Sequence, residues 1–582
     1  MGTKLDLVIV GAGWQGLAAA KTYLDLYPKG KLLVIDANTT IGGTWALENI
    51  SPDLRTQNIL GSLEYSWYRM NPDEFDVEPG DHIPANVVHN YLSTVAEKYN
   101  ILSRVQFRSK VVSARPDESE GWQLSVESDK GSQVVLCKKL IVATGITSVP
   151  RIPDICGSED FRGRIVSYKD LSDEKKYNII SDPSVRTVAV IGGSKAGHDA
   201  AYWSATAGKQ VNWIVPCSGN GVAWMTAPST QFLGRKLIVE TLATTRLFSL
   251  FSPCIWGNSD GFFWARWLLH QTRLGRWIVK AFWRHLGTCI LEATGVNRCK
   301  DLKQVKPDFE FQWQASSAGT LNYTGDFYAF IRSGKIRVHR KSFEKLTDDQ
   351  VHFSDESSVN ADVLIHCSGW EWTSPIRFDD VRRLDLGLPT RMDTSDEMED
   401  WVADCQKADL QILATFPYLR EAPSGPSRAA SSRFGADEAG EQYTSWRLHR
   451  AIAPPAQVEE KAVKNLAFIG LFSTLPTAAL AELQSLWAIA FLHDQVRLPQ
   501  IKDSAREEAA LWMRWSRLRY PFSHASKFMD TSYDIIPYFD LLLSDMGLRC
   551  RRKSSWWREI TEPYTVSDYE EVVEEFKQRT WH

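Results

Sequence analysis

The chain has 582 residues, more than one hydrophobic core usually organises, so two or more domains or one large doubly wound fold are expected. Hydrophobic residues make up 43% and charged ones 24%, the balance of an ordinary soluble globular protein, which excludes a disordered or collagenous chain. A formal charge of -4 gives no basis for nucleic-acid binding.

Met1-Gly2-Thr3-Lys4-Leu5-Asp6 runs straight into a strand-like segment, so no signal peptide is expected. Nine cysteines are scattered without a C-x-x-C pair, which supports neither a disulfide framework nor a zinc cluster and fits a reducing, cytoplasmic setting. Leu7–Val10 reads as a strand, Gly16–Leu26 as a helix and Leu32–Ile35 as a strand, a βαβ unit. Between strand and helix stands Gly11-Ala12-Gly13-Trp14-Gln15-Gly16, and Asp36 closes the second strand. Gly11 allows the tight turn, Gly13 lets backbone approach a pyrophosphate, Gly16 permits close helix–strand packing, and the helix N-terminus attracts the anion. Asp36 is placed to accept hydrogen bonds from ribose hydroxyls, which completes the dinucleotide fingerprint. Gly42-Gly43-Thr44-Trp45 then sets small residues beside an aromatic, as needed where backbone passes close to a planar ligand.

Leu140–Ala143, closed by Thr144-Gly145, and Val363–His366, closed by Cys367-Ser368-Gly369, each read as the last strand of a sheet. A second βαβ unit spans Thr187–Ile191, Gly197–Ala207 and Val211–Val215. Its fingerprint is Gly192-Gly193-Ser194-Lys195-Ala196-Gly197, with Ser194 in place of the middle glycine. The third element ends Ile214-Val215-Pro216, with no acid to bind a free 2′-hydroxyl, so NADPH is expected over NADH. Lys195 is the candidate cation for the 2′-phosphate; a solvated residue at a helix start is the equal alternative. His198 is expected to cover this turn rather than act as a base.

Residues 246–285 carry Trp256, Trp264, Trp267, Trp277 and Trp283 among six Lys and Arg residues, with Asp260 the single acid. This stretch is expected to be helical: a hairpin packed on the nucleotide domain, a substrate lid or a membrane-surface helix, so peripheral membrane contact stays open. The uncharged run Leu247–Ser259 falls short of the roughly 20 residues that cross a bilayer, and no transmembrane segment is expected. Residues 422–440, rich in Ser, Ala, Gly and Pro, read as a surface loop of poor order. The chain lacks HExxH, GxSxG and a P-loop with GK[ST], and Cys289 and Cys299 are too far apart to be the redox pair of a disulfide reductase.

The first fingerprint together with Gly42-Gly43-Thr44-Trp45 resembles the GGxW pattern of the class B flavin monooxygenases, which include flavin-containing and Baeyer–Villiger monooxygenases. Leu54–Asn58, Ile83-Pro84 with Tyr91-Leu92, Ala143-Thr144-Gly145, Phe161–Ser167, and Phe468-Ile469-Gly470 with Glu482, Gln484 and Trp487 extend the resemblance over residues 5–497. The aromatic insert and the C-terminal region are similar to relatives from fungal secondary metabolism. The resemblance implies an α/β fold with two Rossmann-like dinucleotide-binding domains. These are a discontinuous FAD domain (1–175 and 371–497) and an inserted NADPH domain (176–370) with an aromatic helical insert (240–290), followed by a helical C-terminal extension (498–582).

By the same resemblance, Gly11, Gly13, Gly16, Asp36, Gly43, Thr44, Trp45, Thr144, Gly145 and Gly470 hold FAD, while Gly192, Ser194, Lys195 and Gly197 hold NADPH. The implied reaction is reduction of FAD by NADPH, formation of a flavin C4a-(hydro)peroxide with O2, and transfer of one oxygen atom to a small, hydrophobic organic substrate. No metal takes part in it. Gln57 stands where flavin-containing monooxygenases carry an asparagine beside the flavin ring, and Asn58 follows; they are either ligands at the flavin's reactive edge or loop amides. Ser167 replaces the histidine of F-x-G-x-x-x-H and Leu171 a usual aromatic, which weakens a Baeyer–Villiger assignment. An FAD-dependent oxidase, dehydrogenase or isomerising enzyme on the same scaffold is the alternative.

Overall fold

The computed structural model describes residues 4–580 apart from 52, 174–177, 179, 218, 233, 258–259, 393–394, 425–442, 460 and 499–503. Most of the loop expected at 422–440 therefore lies outside the described residues. Two parallel sheets organise the chain. In the first, Val105–Gln106, Leu32–Ile35, Leu5–Val10 and Gly131–Val142 run side by side in parallel, and Leu466–Phe468 pairs beyond them. The strand Gly131–Val142 serves two structures: residues 131–137 pair antiparallel with Trp122–Ser128, and residues 137–142 pair parallel with Leu5–Val10. A meander completed by Ser109–Pro116 thus grows out of the nucleotide sheet.

Leu140–Ala143, expected to close its sheet, is interior instead, because Leu466 pairs with Leu140 and Phe468 with Val142. The second sheet runs Ile336–Arg340, Gln210–Val215, Thr187–Ile191, Val363–His366 and Arg164–Ser167, all parallel. Val363–His366 is likewise flanked on both sides rather than last. Arg164–Ser167 belongs to this second sheet, so the chain crosses between sheets ahead of residue 164 rather than near 175.

The strands are apolar on both faces because both faces are covered. In the first sheet Leu7 and Ile9 pack with helix Trp14–Leu26 while Val8 and Val10 pack with Leu386, Leu388, Trp446 and Leu448. In the second, Val188 and Val190 pack with helix Lys195–Thr206 while Ala189 and Leu364 pack with the antiparallel strands Phe343–Thr347 and Gln350–Phe353. Helix Trp14–Leu26 lies between the first sheet and helix Thr477–Leu492, which is buried nearly all round. Ala18, Ala19 and Ala20 on one helix and Ala478, Ala479 and Ala481 on the other are buried, and small side chains let the two backbones approach. The aromatic stretch forms helices Arg246–Leu250, Phe263–Gln271 and Arg273–Thr294. The C-terminal region adds helices Ser504–Arg519, Ile535–Asp545, Trp556–Thr561 and Val572–Thr580. No helix among the described residues is long and apolar enough to cross a membrane.

A buried ion cluster fastens the insert to the C-terminal extension. Arg246 is fully buried and pairs with both carboxylate oxygens of Asp540, with Glu559 at 2.7 Å and with the Tyr564 hydroxyl at 2.9 Å. Arg266 grips both oxygens of Asp260 at 2.7 Å, and Asp260 lies 3.6 Å from Arg246. Burial raises the Asp540 carboxyl to about 6, against the pull of Arg246. A raised acid favours the folded state while protonated, so this group's contribution falls as pH rises from about 4 through about 6.

Removing the cation leaves two carboxylates buried without it, and such a deletion costs roughly 3–5 kcal/mol. Arg246→Met is expected to lower the denaturation midpoint, more at pH 7.5 than at pH 5.5, where Asp540 takes up a proton. Urea unfolding at the two pH values measures this; an equal loss at both would show that Asp540 is not the group left stranded.

Candidate active site

The first glycine turn stands at the carboxyl end of Leu5–Val10. Gly11 has φ +113°, and a Cβ there would overlap the Ala143 carbonyl oxygen; a Cβ on Gly16 would overlap that of Gly11. Gly13 differs. A Cβ on Gly13 would meet no protein atom closer than 3.6 Å, so the protein's own packing does not demand glycine there. Helix Trp14–Leu26 begins beside this space with no side-chain cap and no acid in its first turn. The buried Gln15 Oε1 in that turn has no hydrogen-bond partner among the described residues. Free N–H groups, an unopposed helix dipole and a kept clearance suit a dinucleotide pyrophosphate, so the residues present fit FAD.

Asp36 is buried, and its carboxylate accepts from the Ala12 N–H at 2.6 Å and the Asn38 N–H at 2.7 Å. It ties the glycine turn to the end of the second strand, and burial raises its pKa. Only its remaining lone pairs are left for a ribose. Gly42 donates to the Ala12 carbonyl at 3.0 Å, and a Cβ on Gly43, which has φ +60°, would lie 3.2 Å from the Gly13 Cα. The two turns therefore face each other closely. Thr44 Oγ1 lies 3.0 Å from Thr147 Oγ1, and the carbonyl of the half-buried Trp45 lies 3.2 Å from His89 Nδ1. Thr144 and Gly145, with φ +68° at Gly145, follow the strand's carboxyl end. Gly470, with φ +76°, donates to Gln484 Oε1 at 2.9 Å, and a Cβ on it would lie 2.6 Å from Gln15 Cγ.

The second turn repeats the device. Gly192 has φ +132°, and a Cβ on it would lie 2.9 Å from Cys367 Cβ; one on Gly197 would overlap the Gly192 carbonyl oxygen. Ser194 caps helix Lys195–Thr206 without a side-chain hydrogen bond, and no acid stands in its first turn. His198 is buried under the turn against Trp213, with ring centroids 4.5 Å apart. Lys195 pairs with Asp199 one helical turn on and lies 4.7 Å over the Tyr323 ring, and burial lowers its pKa. A cation at this strand end that the sequence reading did not single out is Arg340. Val215 and Arg340 are register partners, and the Arg340 Nη2 lies 2.5 Å from both oxygens of Asp308. No local pattern points to Arg340, since only parallel pairing of distant strands brings it there.

The two nucleotide halves meet at strand Arg55–Ile59. Gln57 Oε1 accepts from the Thr320 N–H at 3.0 Å, and Asn322 donates to the carbonyls of Arg55 at 2.8 Å and Thr56 at 3.1 Å. A Cβ on Gly319 would lie 2.9 Å from Lys195 Cδ, 3.0 Å from Met225 Sδ and 3.3 Å from Gln57 Oε1. Gln57 and Lys195 thus converge on one point of the seam. Asn58 is committed elsewhere: its amide donates to Glu240 and to the Leu475 carbonyl at 3.1 Å. Glu240 also holds Ser62 Oγ at 2.6 Å and the Ile59 N–H at 3.2 Å, and its burial raises its pKa. At Ser167, its hydroxyl and Asp170 form a capping box for the turn that follows, and Leu171 is fully buried. A cleft of about 520 Å³ between Tyr27, Lys139 and His493 opens at the amino ends of the first sheet's strands. Ligands of open α/β sheets bind at the carboxyl ends, where the glycine turns are.

Residues 8–230 match the family described as pyridine nucleotide-disulphide oxidoreductase. All nine cysteines are free, so the match rests on the nucleotide frame. Over 99% of its length the chain is 32% identical to an FAD-dependent monooxygenase of Alternaria brassicicola, covering 95% of that protein. It is 31% identical to an FAD-dependent monooxygenase of Aspergillus sclerotiorum, with 98% of each chain covered. The fold is similar to that of a steroid monooxygenase solved with NADP bound, at a TM-score of 0.58 and 16% identity over 94% of this chain and 99% of that one. It is also similar to cyclohexanone monooxygenase, at a TM-score of 0.56 and 14% identity over 100% and 99%. With two glycine turns built for dinucleotides and full-length relatives at this identity, the chain belongs to the FAD-dependent monooxygenases.

Proposed function

We propose that this monooxygenase consumes NADPH and places one oxygen atom of O2 in a small, hydrophobic organic substrate. The observation that carries the reading is the convergence of Gln57 from the first nucleotide half with Lys195 and Thr320 from the second. When bound, FAD supplies the redox chemistry that links nicotinamide oxidation to oxygen transfer. The chain's own residues bind, orient and exclude water. Gly11, Gly13, Gly16 and Gly43 with the uncapped helix start seat the pyrophosphate of FAD; Gly192, Ser194 and Gly197 seat that of NADPH. Met225, whose sulfur faces the Gly319 position, and buried Trp224 beside it give the seam an apolar wall against water. Gln57 offers an amide at the seam, able to donate and accept without taking a proton. Asn58, bonded to Glu240 and the Leu475 carbonyl, braces the strand that presents it. The steroid monooxygenase of similar fold, solved with NADP bound, supports the choice of nucleotide.

Three substitutions test this placement. Gly13→Val puts a side chain into a space the protein leaves clear, so the variant should stay folded and lose FAD. A folded Gly13→Val enzyme with wild-type FAD affinity would refute the site. For the second nucleotide, Arg340→Ala should weaken NADPH binding by roughly 10–100-fold, the worth of a charge-assisted contact, and leave NADH nearly unchanged. Lys195→Ala should weaken both nucleotides alike, since Lys195 is tied to Asp199 at the seam. Flavin reduction followed by rapid mixing with each nucleotide reads both; the opposite pattern would return the 2′-phosphate to Lys195.

Gln57→Ala should leave FAD content and the rate of flavin reduction intact while product per NADPH falls and hydrogen peroxide release rises. Unchanged coupling would reduce Gln57 to a loop amide. Hydrogen peroxide equal to the NADPH consumed in wild-type enzyme, with every candidate substrate, would favour the oxidase alternative.

A further inference from the structure

We propose that the outer face of the helical hairpin Phe263–Thr294 seats this enzyme on the surface of an anionic phospholipid bilayer. The two helices of the hairpin meet at a tight bend. Thr272 accepts from the Gly275 N–H at 2.9 Å to start the second helix, and a Cβ on Gly275 would overlap the Leu268 carbonyl oxygen. The inner face is spent on the core: Val279, Trp283, Leu286 and Ile290 are buried in one cluster with Trp224 and Phe311.

The outer face is apolar as well. Trp264 is 75% exposed and Trp277 66%, and Phe263, Trp267, Leu268 and Leu274 are exposed with them. On the longer helix Leu274, Trp277, Ile278 and Ala281 follow an i, i+3, i+4, i+7 spacing, so they form one continuous stripe opposite the buried one. Trp556 and Trp557, 60% and 66% exposed, extend it: the Trp556 ring lies 6.4 Å from that of Phe262, at the base of the hairpin. A soluble monomer rarely exposes a contiguous apolar patch of this kind unless something covers it.

Charge and shape identify the cover. From residue 261 to 291 the chain has no Asp or Glu, while Arg273, Arg276, Lys280 and Arg284 lie along the second helix. Lys280 and Arg284 pair with Glu421 and Glu310, surface pairs that bind weakly and that an anionic surface can replace. Indole rings exposed from 47% at Trp267 to 75% at Trp264 project outward rather than line a groove, the form that enters a fluid headgroup layer. Tryptophan at the level of the headgroups with Arg and Lys beside it is how a helix lies in a bilayer interface, and no described helix can cross it. The surface reading does not depend on which nucleotide or substrate the enzyme uses.

Sedimentation of the full-length, FAD-loaded enzyme with vesicles tests the proposal. One set is phosphatidylcholine alone and the other phosphatidylcholine with one-third phosphatidylserine. The wild type should bind the second set more tightly, and binding should fade as salt is raised. The triple variant Trp264→Ser, Trp267→Ser, Trp277→Ser should lose binding by more than about tenfold, with FAD content and flavin reduction unchanged, because no buried contact is removed. Arg273→Glu with Arg276→Glu should weaken binding to the anionic vesicles and leave the neutral ones unaffected. A wild type that binds neither vesicle, or a triple variant that binds as well as wild type, overturns the proposal. So does a wild-type dimer in sedimentation velocity that the triple variant dissociates without any vesicle binding, which would assign the stripe to a second copy of the chain.

Discussion

Gly16 and Gly197 stand in the same steric position: a Cβ on either would overlap the carbonyl oxygen of the first glycine in its turn, Gly11 or Gly192. Because no side chain intervenes, each helix starts directly on the end of its strand, and its free N–H groups point across the turn. Lys195, at the second of these starts, and Gln57 on strand Arg55–Ile59 both stand against Gly319. At either Gly16 or Gly197 a residue larger than glycine would push the helix away from its strand.

The local half of this architecture was legible. The strand–glycine–helix units span about 30 residues each, and their apolar periods reveal them; Leu32–Ile35, Thr187–Ile191 and Val363–His366 lie where their patterns place them. Long-range pairing was not. Leu466–Phe468 flanks Gly131–Val142 and Arg164–Ser167 joins the second sheet because partners far apart in sequence meet, and periodicity carries no trace of that. Arg340 escaped notice for the same reason, being visible only as the register partner of Val215. Lys195 was legible as a residue and not as a partner, since an i,i+4 pair with Asp199 competes with any phosphate for its charge.

The C-terminal extension is bonded into the half that carries the first glycine turn rather than appended to it. From Gly470 a chain of hydrogen bonds runs through Gln484 to the Tyr538 hydroxyl at 2.9 Å, from Tyr538 to the Arg450 carbonyl at 2.8 Å, and from the Arg450 side chain to Asp545 at 2.6 Å. Asp545 also accepts from the Trp487 indole at 3.0 Å. Gln484, Trp487, Tyr538 and Asp545 are buried, so each depends on its partner to remain satisfied. With the Arg246–Asp540 cluster on the other side, helix Ile535–Asp545 ties both the turn at Gly470 and the aromatic insert.

The same reasoning explains why the seam offers few acids or bases. Burial pushes His82 down and Glu240 up, so both lean toward their neutral forms. The charged groups are tied down: Lys195 to Asp199, and Arg55 to the His82 carbonyl at 3.0 Å. What remains at the meeting point are neutral amides, Gln57 exposed and Asn322 holding backbone carbonyls. A cofactor that carries its own redox chemistry needs orientation and exclusion of stray protons more than it needs a general base. Gln57, held on strand Arg55–Ile59 by the Thr320 N–H, and Asn322, which holds the Arg55 and Thr56 carbonyls, join the two sides of this seam through amides that do not titrate.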